Sequence, residues 1–333
     1  MQVFITGATG IVGSHMLIRL LRAGNNVRVF VRENSNRQVI KNALDYNGLS
    51  HERLEYVVGD ISDPYGLKSA MADCEEVYHC AAMVSFDPLL TNRLVEVNAG
   101  GTANIVNACL ELGVQRLCYI SSTAAIGDVW VDGYLTEQSA WTTDKGHSGY
   151  SLSKRYAELE VWRGREEGLN ALIVNPGLVV GAGNWGESST TIILSCENGM
   201  TLYPSGSNGF VGADDIARFC LEGMEKAWFN GSYLLIAENL SFKEFFGHCT
   251  DAFGSRTPKI GIPKSLAKVG QLLLMMLEAL RINFLSITSQ NIDSAYRTAV
   301  YSNEQAVAMG FEFMPVKSAI KKMVDQYKKE KAS

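Results

Sequence analysis

No two cysteines stand at the C-x-x-C spacing of a metal knuckle or a redox motif, although the chain holds seven. Cys74, Cys80, Cys109, Cys118, Cys196, Cys220 and Cys249 are odd in number and mostly lie inside apolar runs. They read as reduced core thiols of a cytosolic protein, and no metal site is expected. A basic excess is missing as well: 30 Lys and Arg against 35 Asp and Glu leave a net charge of −5. A general nucleic-acid binder needs a basic face to displace phosphate counterions, so no nucleic-acid partner is expected. No transmembrane segment is expected, because no apolar run approaches the ~20 residues that span a bilayer. The greasiest, Leu272–Leu277, sits in an uncharged stretch 269–277 bounded by Lys268 and Glu278. It reads as core, with a pocket wall or a homodimer face as alternatives. No basic stretch followed by an apolar region precedes the first strand at residue 2, so a cytoplasmic location is expected. Glycine and proline, 31 and 7 residues, are too few for a collagenous or disordered chain.

What is present has a rhythm. A β-rich run at 2–6 passes through a glycine turn into a helical pattern that ends near Gly24. Further buried-looking runs follow at 27–31, 54–60, 76–82, 115–122 and 171–177, separated by helix-length segments. Alternating units of this kind predict an α/β fold, a doubly wound parallel sheet of the Rossmann type, with a smaller and mostly helical lobe. The run 232–237 follows a helix-like segment and is expected to close the sheet. The first domain is accordingly read as 1–178 with 210–238 returning to it, and the lobe as 179–209 and 239–333. Helices are expected near Phe242–Phe253, Leu266–Leu280 and Val316–Tyr327, and Lys328, Lys329 and Lys331 read as a frayed, solvated tail.

Between the first strand and first helix, Thr6-Gly7-Ala8-Thr9-Gly10-Ile11-Val12-Gly13 sets glycines at three-residue intervals. Without Cβ atoms the backbone can turn sharply, and free N–H groups at a helix amino end favour a pyrophosphate. Gly7, Thr9, Gly10, Ile11 and Gly13 are therefore candidate dinucleotide contacts. At the end of the second strand, where an acid would serve the adenosine ribose of NAD, stands Arg32. An arginine suits a 2′-phosphate and favours NADP, with Arg37 as a second contact; Glu33 keeps NAD open as the alternative.

Tyr150 and Lys154 fall on one face of a helix, one turn apart, so the lysine's charge is expected to lower the phenol's pKa toward useful acid–base chemistry. Tyr327 and Lys331 repeat the spacing in the basic tail and are read as a decoy. The first copy follows the fifth strand, whose end Ile120-Ser121-Ser122-Thr123 should open at the ligand-binding edge of the sheet. Ser122 can there hydrogen-bond a substrate oxygen.

These motifs resemble the extended branch of the short-chain dehydrogenase/reductase superfamily, the NAD-dependent epimerase/dehydratase group, over nearly the whole chain. The markers are TGATGIVG, Gly59-Asp60-Ile61, His79-Cys80-Ala81-Ala82, Asn98 with Gly101-Thr102-Ala103-Asn104, Ser122, Tyr150 with Lys154, and Asn175-Pro176-Gly177. The resemblance implies that Asp60 and Ile61 flank the adenine, and that Ala81 and Ala82 lie at the ribose and phosphates. It places Pro176, Gly177 and Val179 at the nicotinamide, with Lys154 also holding the nicotinamide ribose. It selects Ser122 over Thr123 because Ser122 stands five residues before Gly127. His79 reads as a satisfied core histidine.

Softer signals, VRVFVR, Phe210-Val211-Gly212-Ala213-Asp214-Asp215 and Tyr301-Ser302-Asn303-Glu304-Gln305-Ala306, resemble the dihydroflavonol-reductase and 3β-hydroxysteroid-dehydrogenase group. Thr123-Ala124 replaces the Asp-Glu pair of the sugar-nucleotide dehydratases, which argues against dehydration. The expected activity is reduction of a ketone or aldehyde by NADPH with a Ser-Tyr-Lys mechanism. A sugar-nucleotide epimerase with retained NAD and a non-catalytic dinucleotide-binding protein are the alternatives. The partner is a small carbonyl or hydroxyl compound, with Met83, Phe86, Trp130 and Trp185 hinting at an apolar pocket.

Overall fold

The computed structural model describes residues 1–267 and 294–332. The apolar stretch 269–277 lies outside them, as does most of the expected helix Leu266–Leu280.

Seven parallel strands form the main sheet. In chain order they are β1 (Gln2–Thr6), β2 (Asn26–Val31), β3 (Leu54–Val58), β4 (Glu76–His79), β5 (Arg116–Ile120), β6 (Ala171–Pro176) and β10 (Ser232–Leu235). Their spatial order is β10-β6-β5-β4-β1-β2-β3, and every neighbouring pair runs parallel. A parallel sheet is covered on both faces, so its strands must be apolar on both sides. Successive residues therefore serve opposite cores. Val3 and Ile5 of β1, Cys118 of β5 and Leu172 and Val174 of β6 enter one core. Phe4, Leu117, Tyr119, Ala171 and Ile173 enter the other.

The first core is roofed by α1 (Ile11–Arg22) and α8 (Ala213–Glu225). Arg19 clasps Asp214 with two nitrogens at 2.8–3.0 Å, joining those helices across 195 residues of sequence. The second is roofed by α3 (Pro64–Met71), α5 (Gly101–Leu112) and α6 (Gly149–Glu166).

A smaller lobe holds a three-stranded sheet of β7 (Leu178–Val180), β9 (Ser207–Gly212) and β11 (Glu238–Ser241). With it lie a two-stranded ladder of β8 (Leu202–Pro204) and β12 (Ile260–Ile262), and α9 (Phe242–Phe253). The last helix, Val316–Ala332, packs into the same core through Val316, Ile320, Met323 and Val324. Helix α9 starts on a reciprocal capping box between Ser241 and Glu244.

The segments read from the sequence divide more finely in the structure, and the tail is ordered. Of residues 210–238, α8 and β10 return to the main domain, but Phe210–Gly212 belong to β9 in the small sheet, because the chain changes layer at Gly212. Within 239–333, the short helix Glu304–Ala308 and Phe311 pack back on the main domain, where Ala306 and Phe311 complete the core around Phe219. The lysine-rich end is helix to Ala332, since Lys331 pairs with Glu197 at 2.5 Å and Lys328 donates to the Ala252 carbonyl at 3.1 Å.

Phe219 is fully buried among Trp228, Tyr233 and Phe311, with ring centroids 5.0–5.3 Å apart. Phe219→Ala removes that packing and should destabilise the protein by about 3–5 kcal/mol, seen as an earlier urea-unfolding midpoint.

Candidate active site

Strand order reverses between β1 and β4, and an α/β sheet opens a ligand crevice at the carboxyl end of such a pair. The glycine turn fills that position. Gly7 has φ +72, and a Cβ on it would stand 2.5 Å from the Ala81 nitrogen and 2.6 Å from the Cys80 carbonyl carbon. Only glycine lets the two strand ends approach so closely. A Cβ on Gly13 would fall 2.1 Å from the Gly7 oxygen. Gly10 is the N-cap of α1 and offers no side-chain cap, so the helix amino end faces the crevice with backbone N–H groups. That bare, exposed helix end beside a glycine cradle fits a dinucleotide pyrophosphate.

The rest of the crevice is stitched from both sides. Thr6 Oγ1 meets His79 Nδ1 at 2.8 Å and accepts from the Ala81 N–H at 3.2 Å. His79 Nε2 lies 3.0 Å from Thr102 Oγ1 on α5. Burial, then the charge of Lys154, push the His79 pKa from 6.5 down to about 3. Ala81 and Ala82 line this edge, Ala82 exposed and Ala81 half-buried.

Asp60 is exposed and its Oδ1 takes the Ser62 N–H at 2.8 Å, while Ile61 packs against Gly101 and its carbonyl accepts from Asn104 at 2.9 Å. Arg32 is exposed at the end of β2, and Arg37 lies over the Tyr56 ring at 5.6 Å. Pro176 ends β6, Gly177 follows against the Gly209 backbone, and Val179 pairs with Val211 in the small sheet. Ile11 reaches the glycines at 181 and 183, and Thr9 is half-buried.

Helix α6 carries the candidate acid–base pair. Its N-cap Ser148 accepts from the Ser151 N–H at 3.0 Å, fixing the entry turn. Tyr150 and Lys154 then face the end of β5, where the Ser122 side chain lies near enough to the phenol to oppose the effect of burial. Ser122 Oγ also accepts from the Ala124 N–H at 3.1 Å. Lys154 Nζ donates to the Ile120 carbonyl at 2.7 Å and lies 4.7 Å from the Tyr119 ring centroid. Its pKa is pulled from 10.5 to about 8, chiefly by burial, with Glu158 and Cys80 acting the other way.

The expectation that Lys154 would lower the Tyr150 pKa is not met. Burial raises it, and the group that opposes burial is Ser122. The ammonium is turned instead onto the strand-end carbonyl. Tyr327 and Lys331 lie elsewhere, bonded to Glu197. Trp185 also leaves the expected pocket: its indole donates to Glu330 at 2.7 Å and packs on Tyr327.

Two residues already singled out in the sequence gain specific contacts. Phe86 stands 5.9 Å from the Tyr150 ring. Asn98, in a π-helical segment Glu96–Gly100, holds Met83 by both backbone groups at 2.7 and 2.9 Å and Ser153 at 2.9 Å. It thereby ties the loop after β4 to α6.

Comparison with known proteins agrees with the fold. The model of the NAD dependent epimerase/dehydratase family matches residues 3–233. Sterol demethylase protein B of Methylococcus capsulatus is 30% identical over 270 residues, 80% of this chain and 79% of that one. A putative dihydroflavonol 4-reductase of Synechocystis is 30% identical over 271 residues, 78% and 75% of the two chains. The crystal structure of gox2253 matches with a TM-score of 0.81 at 27% identity, covering 98% of each chain.

Because His79 is neutral in the fold down to about pH 3 but titrates near 6.5 when unfolded, the unfolded chain binds the extra proton between those values. Stability should therefore fall as pH drops through that window, by about 1.4 kcal/mol per pH unit from this group. Unfolding free energies of the wild type and His79→Gln across the window test this: the variant's slope should be shallower.

Proposed function

We propose that this chain, which belongs to the NAD dependent epimerase/dehydratase family and is an enzyme of the extended short-chain dehydrogenase/reductase kind, reduces a ketone or aldehyde with NADPH. The observation that carries the reading is the Ser122–Tyr150 hydroxyl pair, set at the carboxyl edge of the sheet beside a glycine cradle.

A bound nicotinamide supplies the hydride. Gly7, Thr9, Gly10, Ile11 and Gly13 hold the pyrophosphate, and Asp60 and Ile61 flank the adenine. Arg32 meets the 2′-phosphate. Ala81 and Ala82 pass the ribose and phosphates, Pro176, Gly177 and Val179 bound the nicotinamide, and Lys154 holds its ribose. Ser122 orients the carbonyl oxygen. Tyr150 then gives that oxygen its proton as the alcohol forms, and the phenolate recovers one from solvent. A phenol raised by burial stays protonated at neutral pH, which is the state a proton donor requires.

The approach to this pair is apolar. Phe86 flanks Tyr150, Met83 and the exposed Val84 lie on the same loop after β4, and Val129, Trp130 and Tyr134 expose their side chains on the segment that follows Ser122. An apolar carbonyl compound suits such a mouth better than a sugar diphosphate. The similarity to a putative dihydroflavonol 4-reductase supports the same choice.

A carbonyl screen with NADPH and NADH is the test. Once a substrate is found, Tyr150→Phe should lower kcat by about 10²–10⁴-fold while NADPH still binds. Full turnover by that variant would remove Tyr150 as the acid. Arg32→Ala should weaken NADPH about tenfold, the worth of one charge-assisted hydrogen bond, and leave NADH binding unchanged in a calorimetric titration.

A further inference from the structure

Glu158 lies four residues past Lys154 on α6, one more turn along the face that carries Tyr150, and is 3% exposed. Its Oε2 accepts from the Ser121 hydroxyl at 2.6 Å and from the Asn175 amide at 2.6 Å, and its Oε1 accepts from the Trp162 indole at 3.2 Å. Three donors converging on one buried acid is the pattern of a charged carboxylate.

Asn175 shows how strongly that charge organises its surroundings. The same Nδ2 donates to the Ser122 carbonyl at 3.2 Å, whereas Oδ1 is buried with no hydrogen-bond partner. Leaving a buried oxygen unsatisfied is costly. The amide adopts that orientation because the reverse one would set its oxygen against the carboxylate of Glu158.

The groups facing the Lys154 ammonium are Glu158 on its own helix, His79 and Cys80 at the end of β4, and the Ile120 carbonyl and Tyr119 ring on β5. His79 is uncharged above about pH 3, and burial holds the Cys80 thiol protonated. Among these described groups, Glu158 is the anion.

We propose that Glu158 is a positioning residue: through Ser121 and Asn175 it fixes the strand end that presents Ser122, and through space it keeps Lys154 charged so that the ammonium can hold the nicotinamide ribose. The proposal rests on the oxidoreductase reading above. A helix-stabilising acid would do neither, since none of its three donors lies on the exposed face of α6 and two come from outside it, Ser121 just past β5 and Asn175 on β6.

NADPH affinity, followed by nucleotide fluorescence from about pH 7 to 10, where the lysine titrates, tests this without a known substrate. In the wild type the affinity falls as Lys154 loses its proton near pH 8. Removing the anion takes away the largest influence that opposes burial and lowers that midpoint. Glu158→Gln should therefore shift it toward acid by about one pH unit or more, and Glu158→Asp, which keeps the charge but draws it back, should fall in between. A folded Gln variant with an unmoved midpoint overturns the role. Should the Gln variant not fold, the Asp variant decides: displacement toward acid supports the proposal, and coincidence with the wild type overturns it. Wild-type protein that binds neither NADPH nor NADH instead defeats the oxidoreductase reading, and this inference with it.

Discussion

An ammonium stripped of water loses its proton unless its surroundings replace the hydration it gave up, and Lys154 is 2% exposed. The structure supplies the replacement from three directions. The Ile120 carbonyl accepts its hydrogen bond, the Tyr119 ring lends its negative face, and a carboxylate stands one turn further along the helix. Each of these comes from the join between β5 and α6. The same join presents Ser122 and Tyr150, so the charge and the hydroxyl pair are fixed by one set of contacts.

The second organising feature is the near-contact of β1 and β4 at Gly7. Because the strand ends meet there, Thr6 can bond both His79 and the Ala81 backbone. His79 is thereby held as an uncharged strut between the sheet and α5, and the nearby lysine reinforces that neutrality. One cation thus discourages a second only a strand away. This keeps the crevice floor free of competing protons.

The parts of this arrangement readable in the sequence were those set by short spacing. Glycines three apart after a terminal strand, and Tyr150 four residues before Lys154, have the same geometry in any chain that forms those elements. The layer order followed from apolar runs long enough to be buried on both faces. Long-range closures were not readable. Nothing near Lys331 in sequence announces Glu197 as its partner, and nothing near Ala306 announces a place in the core around Phe219. The phenol's pKa does not follow from the i,i+4 rule, which gives proximity without saying where a flexible ammonium points. Glu158 did carry a signal, as the third member of the Tyr150, Lys154 series at four-residue intervals. Its donors, Ser121 and Asn175, lie on other strands and become visible as such only in three dimensions.

Ala306 and Phe311 bear on the order in which the molecule can be assembled. A chain leaves the ribosome amino end first, and its domains generally fold as units as they emerge. Here the core between the sheet and α8 lacks two of its members until residue 311 has been made. The nucleotide-binding half therefore cannot reach its final packing during most of its own synthesis. The aromatic cluster of Phe219, Trp228 and Tyr233 is completed only when the carboxyl-terminal segment brings Phe311 onto it.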